Sequence, residues 1–334
     1  MTKLSEIGEF GLIERLTAGI GPGAGVVKGI GDDAAVLDFG DRWLLFTTDG
    51  MVEGVHFRLG LGPLDDIGYK ALAVSISDIA AMGGRPTYAV ATIGLPDGLS
   101  VEDAVTLYHG MKQIAEDFEV SLVGGDTISS PVLMLNIALL GEASPGKTRY
   151  RSGAQPGDII CVTGCLGGSA AGLYLMENKD VECPDPLRNF LLRKHRRPEP
   201  RVQAGLILSS ISKVHSLMDI SDGLASDIGH IACASGVGCD VYKAAIPVEP
   251  ATEMIGRRTG IDPLQWALYG GEDYELLFTT APEAMGEVFS ALSEAGTACL
   301  PVGKVFEGTG TRLIMPDGSV TGFEKTGYDH FKNG

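Results

Sequence analysis

Seven aspartates stand in five short segments rich in glycine, and they are the residues of this chain best suited to chemistry. None has a histidine or cysteine at the close spacing that is typical of a transition-metal site. Hard oxygen ligands presented singly or in pairs suit Mg²⁺, which bridges one or two carboxylates to substrate phosphates. The pattern therefore indicates phosphoryl transfer or another ATP-driven step. The seven are Asp32, Asp33, Asp49, Asp78, Asp126, Asp219 and Asp222.

Asp78 and the pair Asp219 and Asp222 carry the strongest part of this pattern. Asp78 lies on an otherwise apolar helical face, where an ionised carboxylate is costly unless a metal or a counter-charge meets it. A buried cap or ion pair is the alternative interpretation of Asp78. Asp219 and Asp222 flank Ser221 at the start of a helix, so both carboxylates can surround an ion where backbone N–H groups also attract phosphate. An ordinary helix cap is the alternative there.

Weaker motifs stand beside these. The segments 124–126 (GGD) and 271–275 (GEDYE) place an acid after glycine at a strand end, where the backbone can approach a phosphate, although each is also an ordinary turn sequence. His56 is either half-buried structure or a substrate contact, and the basic run 188–197 is interpreted as a solvated helix face. The glycine-rich segment 164–172 resembles a loose phosphate loop. Because the chain has neither a P-loop sequence nor the protein-kinase motifs, ATP chemistry would need another scaffold.

Length, charge and cysteine usage bound the class of protein. The 334 residues suffice for two domains of about 150 residues each. A net charge of −17 argues against partners such as nucleic acid or an anionic membrane. No apolar run approaches the roughly 20 residues of a membrane span, and the acidic N-terminal stretch is unlike a signal peptide. The six cysteines form no C-x-x-C pair, which predicts reduced thiols and a cytoplasmic location.

Hydrophobic periodicity predicts an α/β (α+β) fold in which helices cover one face of a mixed sheet. The strand 43–48 is expected to enter a turn at 49–50, and a helix over 66–82 is expected to end before Pro86. A helix over 100–118 should be capped by its first serine. Further strands are predicted at 88–95, 121–123, 132–140, 159–163 and 275–280, and a further helix at 223–234.

A change in composition at 144–158 marks the predicted domain boundary. This segment is rich in turn residues and carries three basic residues. We therefore expect an N-terminal domain over 1–147 and a C-terminal α+β domain over 148–334.

Taken together and in order, the segments closely resemble the thiamine-monophosphate kinases, a family within the superfamily of aminoimidazole ribonucleotide synthetase and selenophosphate synthetase. The resemblance implies Mg²⁺-dependent phosphorylation of thiamine monophosphate to thiamine diphosphate, with ATP as co-substrate in a cleft between the domains. It also implies a homodimer built through the ATP- and Mg²⁺-binding N-terminal domain, with the C-terminal domain completing the active site. The matching segments are GEFGLIERL, GIGDDAAVL, TTDGMVEGVHF, GYKALAVSISDIAAMGG, LVGGDT, RSGAQPGD, RPEPRV, DISDGLASDIGHI, GGEDYELLFT and GYDHF.

The resemblance further implies roles for individual residues, with catalysis centred on Asp49, Asp78 and Asp126. The implied metal ligands are Asp33, Thr47, Thr48, Asp49, Asp78, Asp126, Asp219 and Asp222. The implied ATP contacts are Gly125, Asp126, Arg151 and Ser221. The implied contacts to the thiamine phosphate are His56, Glu272 and the C-terminal aromatic Phe323.

Residue chemistry is consistent with this resemblance. ATP and a phosphate monoester are both anionic, so bringing them together needs divalent cations, and those need carboxylates. Transfer to an ionised phosphate oxygen needs mainly alignment and charge neutralisation, which predicts direct in-line transfer without a protein nucleophile.

Two alternatives stay open at this point. One is a sister ATP-dependent synthetase, but selenophosphate synthetase would show a reactive cysteine in an N-terminal loop, and no cysteine precedes Cys161. The hydrogenase-maturation relative ends in a cysteine-bearing tail, whereas this chain ends in DHFKNG. The other is a non-catalytic Mg²⁺–nucleotide binder, which would not turn over thiamine monophosphate.

Overall fold

The computed structural model describes residues 3–323 and 331, which form two sheets and ten α-helices. No helix among these residues has the length and apolar character needed to cross a bilayer. In chain order the elements are α1 (Leu4–Thr17), β1 (Val26–Lys28), β2 (Ala35–Asp38), β3 (Trp43–Val52), α2 (Leu64–Ala81), β4 (Arg85–Leu95), α3 (Val101–Asp117), β5 (Ser121–Ser129), β6 (Met134–Ala143), β7 (Ile159–Val162), α4 (Gly168–Glu177), α5 (Asp185–Arg196), α6 (Val202–Ser210), β8 (Val214–Asp219), α7 (Leu224–Ser235), β9 (Gly238–Tyr242), α8 (Pro250–Thr259), α9 (Pro263–Tyr269), β10 (Leu276–Thr280), α10 (Met285–Glu294), β11 (Leu300–Phe306), β12 (Gly310–Ile314) and β13 (Val320–Thr321).

The first sheet has six strands in the order β1-β2-β3-β6-β4-β5. Neighbouring strands of this sheet run antiparallel, except β4 and β5, which run parallel. Burial alternates along β6, where Leu135, Ile137 and Leu139 are buried and share a core with Leu72 and Ile76 of α2. The expected arrangement, with helices on one face of a mixed sheet, is confirmed.

Glycine lets the two helices of this domain touch backbone to backbone. A Cβ on Gly68 of α2 would lie 1.8 Å from the carbonyl oxygen of Leu107. A Cβ on Gly110 of α3 would lie 1.7 Å from the carbonyl oxygen of Asp65. The crossing therefore has no room for a side chain at either position.

The second sheet has seven strands in the order β13-β12-β9-β11-β7-β10-β8, and only β9 and β12 pair in parallel. Both of its faces are covered. Leu277 of β10 packs in one core with Ile228 of α7, and the adjacent Phe278 packs in another with Leu208 of α6 and Val288 of α10. Strands buried on both faces give the continuous apolar run seen in β10.

Helix α2 joins the two halves of the chain. A Cβ on Gly205 of α6 would lie 2.1 Å from the carbonyl oxygen of Ala80, so α6 rests directly on α2. Ser77 of α2 donates to Asp219 at the end of β8 across 2.5 Å. The predicted boundary at 147 falls in the connection between β6 and β7. A site placed along α2 therefore draws on residues from both halves.

The strand predictions were wrong at two of the predicted site residues, while the helix cap was right. Asp49 does not sit in a turn, because β3 continues to Val52 with unbroken pairing to β6. Asp126 does not end a strand, because β5 extends to Ser129 beside β4. Ser100 does cap α3, since its hydroxyl accepts from the N–H of Asp103 at 3.0 Å and its own N–H donates to that carboxylate.

Candidate active site

A cavity of about 830 Å³ lies where β3, α2, the turn after β8 and the loop before β10 converge. Its wall brings together residues that the sequence separates by more than two hundred positions. The predicted site residues that line it are Asp33, Thr47, Thr48, Asp49, His56, Asp78, Arg151, Asp219, Ser221, Asp222 and Glu272.

Three carboxylates form the acidic centre of this cavity. Oxygens of Asp33, Asp78 and Asp219 all lie within 4.8 Å of one another. Asp33 and Asp219 are 7% and 2% exposed. The three come from the segment before β2, from α2 and from the end of β8, so the tertiary fold assembles them. Buried hard oxygens at this spacing match the donor set of a divalent cation.

Hydroxyl groups fix the orientation of neighbouring carboxylates. Thr47 of β3 donates to Oδ2 of Asp78 across 2.5 Å. Ser75 of α2 donates to Oδ2 of Asp49 across 2.9 Å. Each bond ties an acid on one element to a hydroxyl on the other, so β3 and α2 hold the site in a preformed arrangement.

Burial makes the acidic centre costly for the apo protein. Burial raises the pKa of Asp219 to about 8, with repulsion from Asp33 adding to it. Burial likewise raises the pKa of Asp33 to about 6, and the attraction of Arg151 only partly opposes this. Burial, followed by repulsion from Asp49 and the other two acids, raises the pKa of Asp78 well above its ordinary value. Carboxylates in this condition are stabilised when a cation joins them.

Arg151 separates the roles of the adjacent acids Asp32 and Asp33. Its guanidinium contacts Oδ1 of Asp33 at 2.5 Å from Nη2 and at 3.1 Å from Nε. Its backbone N–H donates to Oδ1 of Asp32 at 3.0 Å, and Lys28 pairs with Oδ2 of Asp32 at 3.1 Å. Asp32 therefore links the segment before β2 to the backbone of Arg151 and to Lys28. Asp33 keeps Oδ2 without a hydrogen-bond partner among the residues described, and this oxygen is available to a cation.

Main-chain hydrogen bonds build the turn after β8. The N–H of Asp222 donates to the fully buried carboxylate of Asp227 at 3.3 Å. The carbonyl of Ser221 accepts from the N–H of Glu272 at 2.7 Å. Gly223 adopts a φ of 100°, a conformation that favours glycine. The turn and the Glu272 loop therefore form one unit of the cavity wall.

His56 lies in the turn that follows β3. Its Nδ1 accepts the N–H of Val52 at 3.1 Å, so the neutral ring carries its proton on Nε2. A protonated Nε2 is a donor and not a nucleophile. The contact with Val52 fits the structural interpretation of this histidine, and its contact with substrate stays a prediction.

Sequence reasoning missed two residues at the cavity, Lys70 and His195. Lys70 of α2 is 3% exposed, and its Nζ lies 2.7 Å from Oε1 of Glu272. His195 of α5 is 5% exposed, and its Nδ1 lies 3.3 Å from Oε2 of Glu272. The sequence signal that could have identified Lys70 was the presence of a lysine inside the apolar segment GYKALAV. For His195 there was none, because it stands within a run of arginines and lysine.

The interpretation of that basic run as a solvated helix face was wrong at its C-terminal end. His195 is buried, and Arg197 pairs with Asp65 at 2.7 Å and also with Asp66 of α2. The run therefore docks α5 on α2. The glycine-rich segment 164–172 resembled a phosphate loop, but two of its backbone N–H groups already have a partner within the protein. The N–H groups of Gly167 and Ser169 donate to the carboxylate of Asp273.

Three predicted site residues do not line the cavity. Gly125 and Asp126 are exposed on β5, the edge strand of the first sheet. Phe323 follows β13 and packs against the core of the second sheet. Their predicted contacts to ATP, metal and substrate stay predictions.

Comparison with known proteins agrees with a division of the chain into two domains. Residues 31–143 match the family model of the AIR synthase related protein N-terminal domain, and residues 155–316 match that of the C-terminal domain. Thiamine-monophosphate kinase of Bacillus subtilis is 37% identical over 329 residues, which are 97% of this chain and 99% of that protein. The chain belongs to the thiamine-monophosphate kinase family.

Solved structures of this family share the fold along the whole chain. The structure described as AaThiL complexed with AMPPCP and TMP has a TM-score of 0.88 and 33% identity, and the match covers 99% of each chain. Thiamine-monophosphate kinase from Stenotrophomonas maltophilia has a TM-score of 0.78 and 33% identity, covering 93% of this chain and 96% of that one. The cavity thus lies within a fold that this chain shares with thiamine-monophosphate kinases.

Proposed function

We infer that this chain is an enzyme that transfers the γ-phosphate of ATP to thiamine monophosphate and yields thiamine diphosphate and ADP. The observation that carries this function is the convergence, in a member of this family, of carboxylates from both halves of the chain on one cavity. The similarity to a kinase complexed with AMPPCP and TMP supports both substrates. A donor and an acceptor that are both anionic need this kind of site.

The function is tested by a coupled assay for ADP release. Purified protein is incubated with ATP and Mg²⁺ and then with thiamine, thiamine monophosphate or aminoimidazole precursors. Among these compounds, only thiamine monophosphate is expected to cause release of ADP. Turnover of an aminoimidazole precursor would favour a sister synthetase, and no turnover with any compound would favour a nucleotide binder without catalysis.

Mg²⁺ is the cation that the residues of the acidic centre fit. Asp33, Asp78 and Asp219 supply only hard oxygens, and Oδ2 of Asp33 lacks a hydrogen-bond partner within the described chain. We propose these three as ligands, together with Thr47, Thr48, Asp49 and Asp222 around the same cavity. When bound, the ions would neutralise charge on the phosphates of both substrates.

The protein's own residues then align donor and acceptor. Arg151 faces the acidic centre beside Asp33 and is proposed to contact ATP phosphate oxygens, while Ser221 lies on the turn after β8. His56, with its proton on Nε2, is proposed to donate to the substrate, and Glu272 to orient it. The acceptor oxygen is already ionised at neutral pH, so no general base is needed.

Direct in-line transfer follows from this assignment. Since Nδ1 of His56 accepts the Val52 N–H and the proton of the neutral ring lies on Nε2, neither nitrogen offers a free lone pair to a phosphoryl group, and no phosphohistidine intermediate is expected. With ATP chiral at the γ-phosphate, the product should show inverted configuration. Retention would mean two displacements and would contradict direct transfer.

We also propose that the enzyme is a homodimer. The face of the first sheet opposite α2 and α3 presents Phe46, Tyr88 and Val90, which are 46%, 49% and 41% exposed. A second copy would cover this apolar face and the open edge of β5. Phe46 also lines the cavity, so a partner seated here would lie next to the site. This would place the partner's exposed β5 edge, including its Gly125–Asp126 segment, near the cavity.

Sedimentation and mixing experiments test the dimer. A particle of twice the 35.0 kDa chain mass is expected. If each site takes Asp126 from one copy and Asp78 from the other, mixing the inactive variants Asp126→Asn and Asp78→Asn should restore part of the activity. A monomer at micromolar concentration would contradict the dimer, and a dimer without restored activity would contradict the shared site.

A cytoplasmic location is proposed on the state of the cysteines. All six thiols are free, and three of them are buried. A protein that folds without disulfides is suited to a reducing compartment.

A further inference from the structure

Lys70 and Glu272 form a pair at the cavity wall that the transfer of a phosphoryl group does not require. Lys70 lies on α2 and Glu272 in the loop between α9 and β10, so the pair spans the two halves of the chain. Nζ of Lys70 lies 2.7 Å from Oε1 of Glu272. The lysine side chain is 4% exposed and the glutamate side chain 26% exposed, and both line the cavity.

The loop around Glu272 is built to hold its carboxylate in one place. Glu272 has a φ of 57°, a left-handed conformation that is costly for a residue other than glycine and persists where the surroundings enforce it. Its N–H donates to Ser221 at 2.7 Å. His195 contacts Oε2 at 3.3 Å and is itself met by the hydroxyl of Ser169 at 3.1 Å. His195 is therefore a positioning residue behind the carboxylate.

The charge states of this group follow from burial and pairing. Burial lowers the pKa of His195 to about 3, so its ring is neutral near pH 7. Burial alone would raise the pKa of Glu272, but the attraction of Lys70 holds it below its ordinary value. Glu272 is thus a carboxylate at neutral pH.

Both members keep hydrogen-bonding capacity for a ligand. The ammonium of Lys70 has three N–H donors, and the one side-chain oxygen in contact with it among the described residues is Oε1 of Glu272 at 2.7 Å. A carboxylate accepts up to about four hydrogen bonds. The pair therefore offers the cavity a donor beside an acceptor. A ligand that carries a hydrogen-bond acceptor next to a donor along one edge would match the pair.

Helix α2 sets the distance between this pair and the acidic centre. Lys70 precedes Asp78 by eight residues on α2, a separation of about 12 Å at 1.5 Å per residue. Val74, one turn beyond Lys70, also lines the cavity and offers an apolar surface between the two. A substrate whose phosphate lies at the acidic centre would reach Lys70 and Glu272 with its opposite end.

We propose that Lys70 and Glu272 together bind the aminopyrimidine edge of thiamine monophosphate. The carboxylate of Glu272 accepts a hydrogen bond from the exocyclic amine, and the ammonium of Lys70 donates to the adjacent ring nitrogen. This inference rests on the proposed kinase function and deepens it, because it assigns the far end of the substrate to a specific pair. Lys70 is then a determinant of specificity for the amino group.

The test compares thiamine monophosphate with oxythiamine monophosphate, in which a carbonyl and a ring N–H replace the amine and the ring nitrogen. Calorimetry with AMPPCP and Mg²⁺ present gives Kd for both ligands. The wild-type enzyme should bind the amino ligand at least about tenfold more tightly, because the oxo ligand sets acceptor against acceptor and donor against donor. Lys70→Met should bring this ratio close to one.

The isosteric variant Glu272→Gln gives a result that a purely structural role would not produce. Its amide can donate to the carbonyl of the oxo ligand, so binding of oxythiamine monophosphate should strengthen while that of thiamine monophosphate weakens. Lys112→Met, a change of an exposed lysine on α3, is the matched control and should leave the wild-type ratio unchanged.

Two results would overturn the assignment. One is equal affinity of the wild-type enzyme for both ligands, and the other is a wild-type ratio that survives in either Lys70→Met or Glu272→Gln. Failure of the wild-type enzyme to bind or turn over thiamine monophosphate at all is a different result, and it would overturn the proposed kinase function and this inference with it.

Discussion

Replacing Asp219 by asparagine should stabilise the metal-free protein while it abolishes turnover. Asp219 is 2% exposed, and its carboxylate lies within 4.8 Å of those of Asp33 and Asp78. The folded protein therefore keeps three acids in a space that suits them only when a cation is present. Asparagine has nearly the same shape and still accepts the hydrogen bond from Ser77, but it carries no charge.

The magnitude follows from the pKa of Asp219. A shift from 3.8 to about 8 is worth about 5 to 6 kcal/mol at 1.36 kcal/mol per unit. This net shift already includes the hydrogen bond from Ser77 and the attraction to Arg151, both of which lower the pKa. Burial of the polar amide that replaces the carboxyl group opposes the gain by about 3 kcal/mol. We therefore expect Asp219→Asn to raise the free energy of unfolding by about 2 kcal/mol at pH 8 without metal.

The sign of the pH dependence is fixed by the direction of the shift. Between pH 3.8 and about 8 the folded state binds more protons at this site than the unfolded state, so wild-type stability falls as the pH rises. Below pH 4 both states are protonated, and the advantage of the variant should vanish. Added Mg²⁺ should stabilise the wild-type protein more than the variant, because the variant has lost a ligand.

Urea denaturation in EDTA at pH 5, 6, 7 and 8 measures this effect, and the same series with Mg²⁺ measures the reversal. Asp41→Asn, at an exposed position, is the control and should change stability by less than about 0.5 kcal/mol at each pH. A variant less stable than wild type at pH 8 in EDTA, or an advantage that does not grow with pH, would refute the reasoning.

Three further predictions concern the chemistry and the packing. Asp78→Asn should lower kcat about a hundredfold or more with the circular dichroism spectrum unchanged, and near-wild-type turnover would remove this residue from the site. His56→Ala should raise KM more than it lowers kcat in steady-state assays, because a substrate contact is lost; the opposite split would argue for a role in the transition state. Gly205→Ala should destabilise the fold by about 1 to 3 kcal/mol in urea, because its Cβ would lie 2.1 Å from the Ala80 carbonyl. Gly229→Ala, on a helix with open space around the new Cβ, is its control and should stabilise by about 0.5 to 1 kcal/mol; equal effects of the two changes would contradict the close packing.

Periodicity and capping chemistry located the main helices and central strands, because both act over a few residues. The helix α3 begins after Ser100 as its capping box requires, and α2 follows from the apolar run before Gly83. The strand β3 was cut short because Asp49 and Gly50 look like a turn when read alone. Pairing with the whole of β6 outweighs that local preference.

The chemistry of the site could also be predicted from the sequence. An acid in an apolar helix, or a pair of acids at a helix start, is costly unless a cation or another partner meets its charge. Asp78, Asp219 and Asp222 were recognised on that ground, and all three line the cavity. The likeness to a known family, now shown along nearly the whole chain, added the reaction and its substrates. The likeness also implied ATP contacts for Gly125 and Asp126, and these stay predictions, because both residues are exposed on the edge strand β5 and do not line the cavity.

By itself the sequence determined which residue types were available for chemistry and which elements carry them, because hydrophobic period, caps and turn residues are local properties. Only the tertiary structure decided which of them meet. Lys70 lies about two hundred residues from Glu272 in the chain, and no local pattern pairs them, yet their charged groups lie 2.7 Å apart. The physical reason is that burial and pairing are properties of the packed chain: α2 lies between both sheets, and its position brings Lys70 to Glu272 and Asp78 to Asp33 and Asp219.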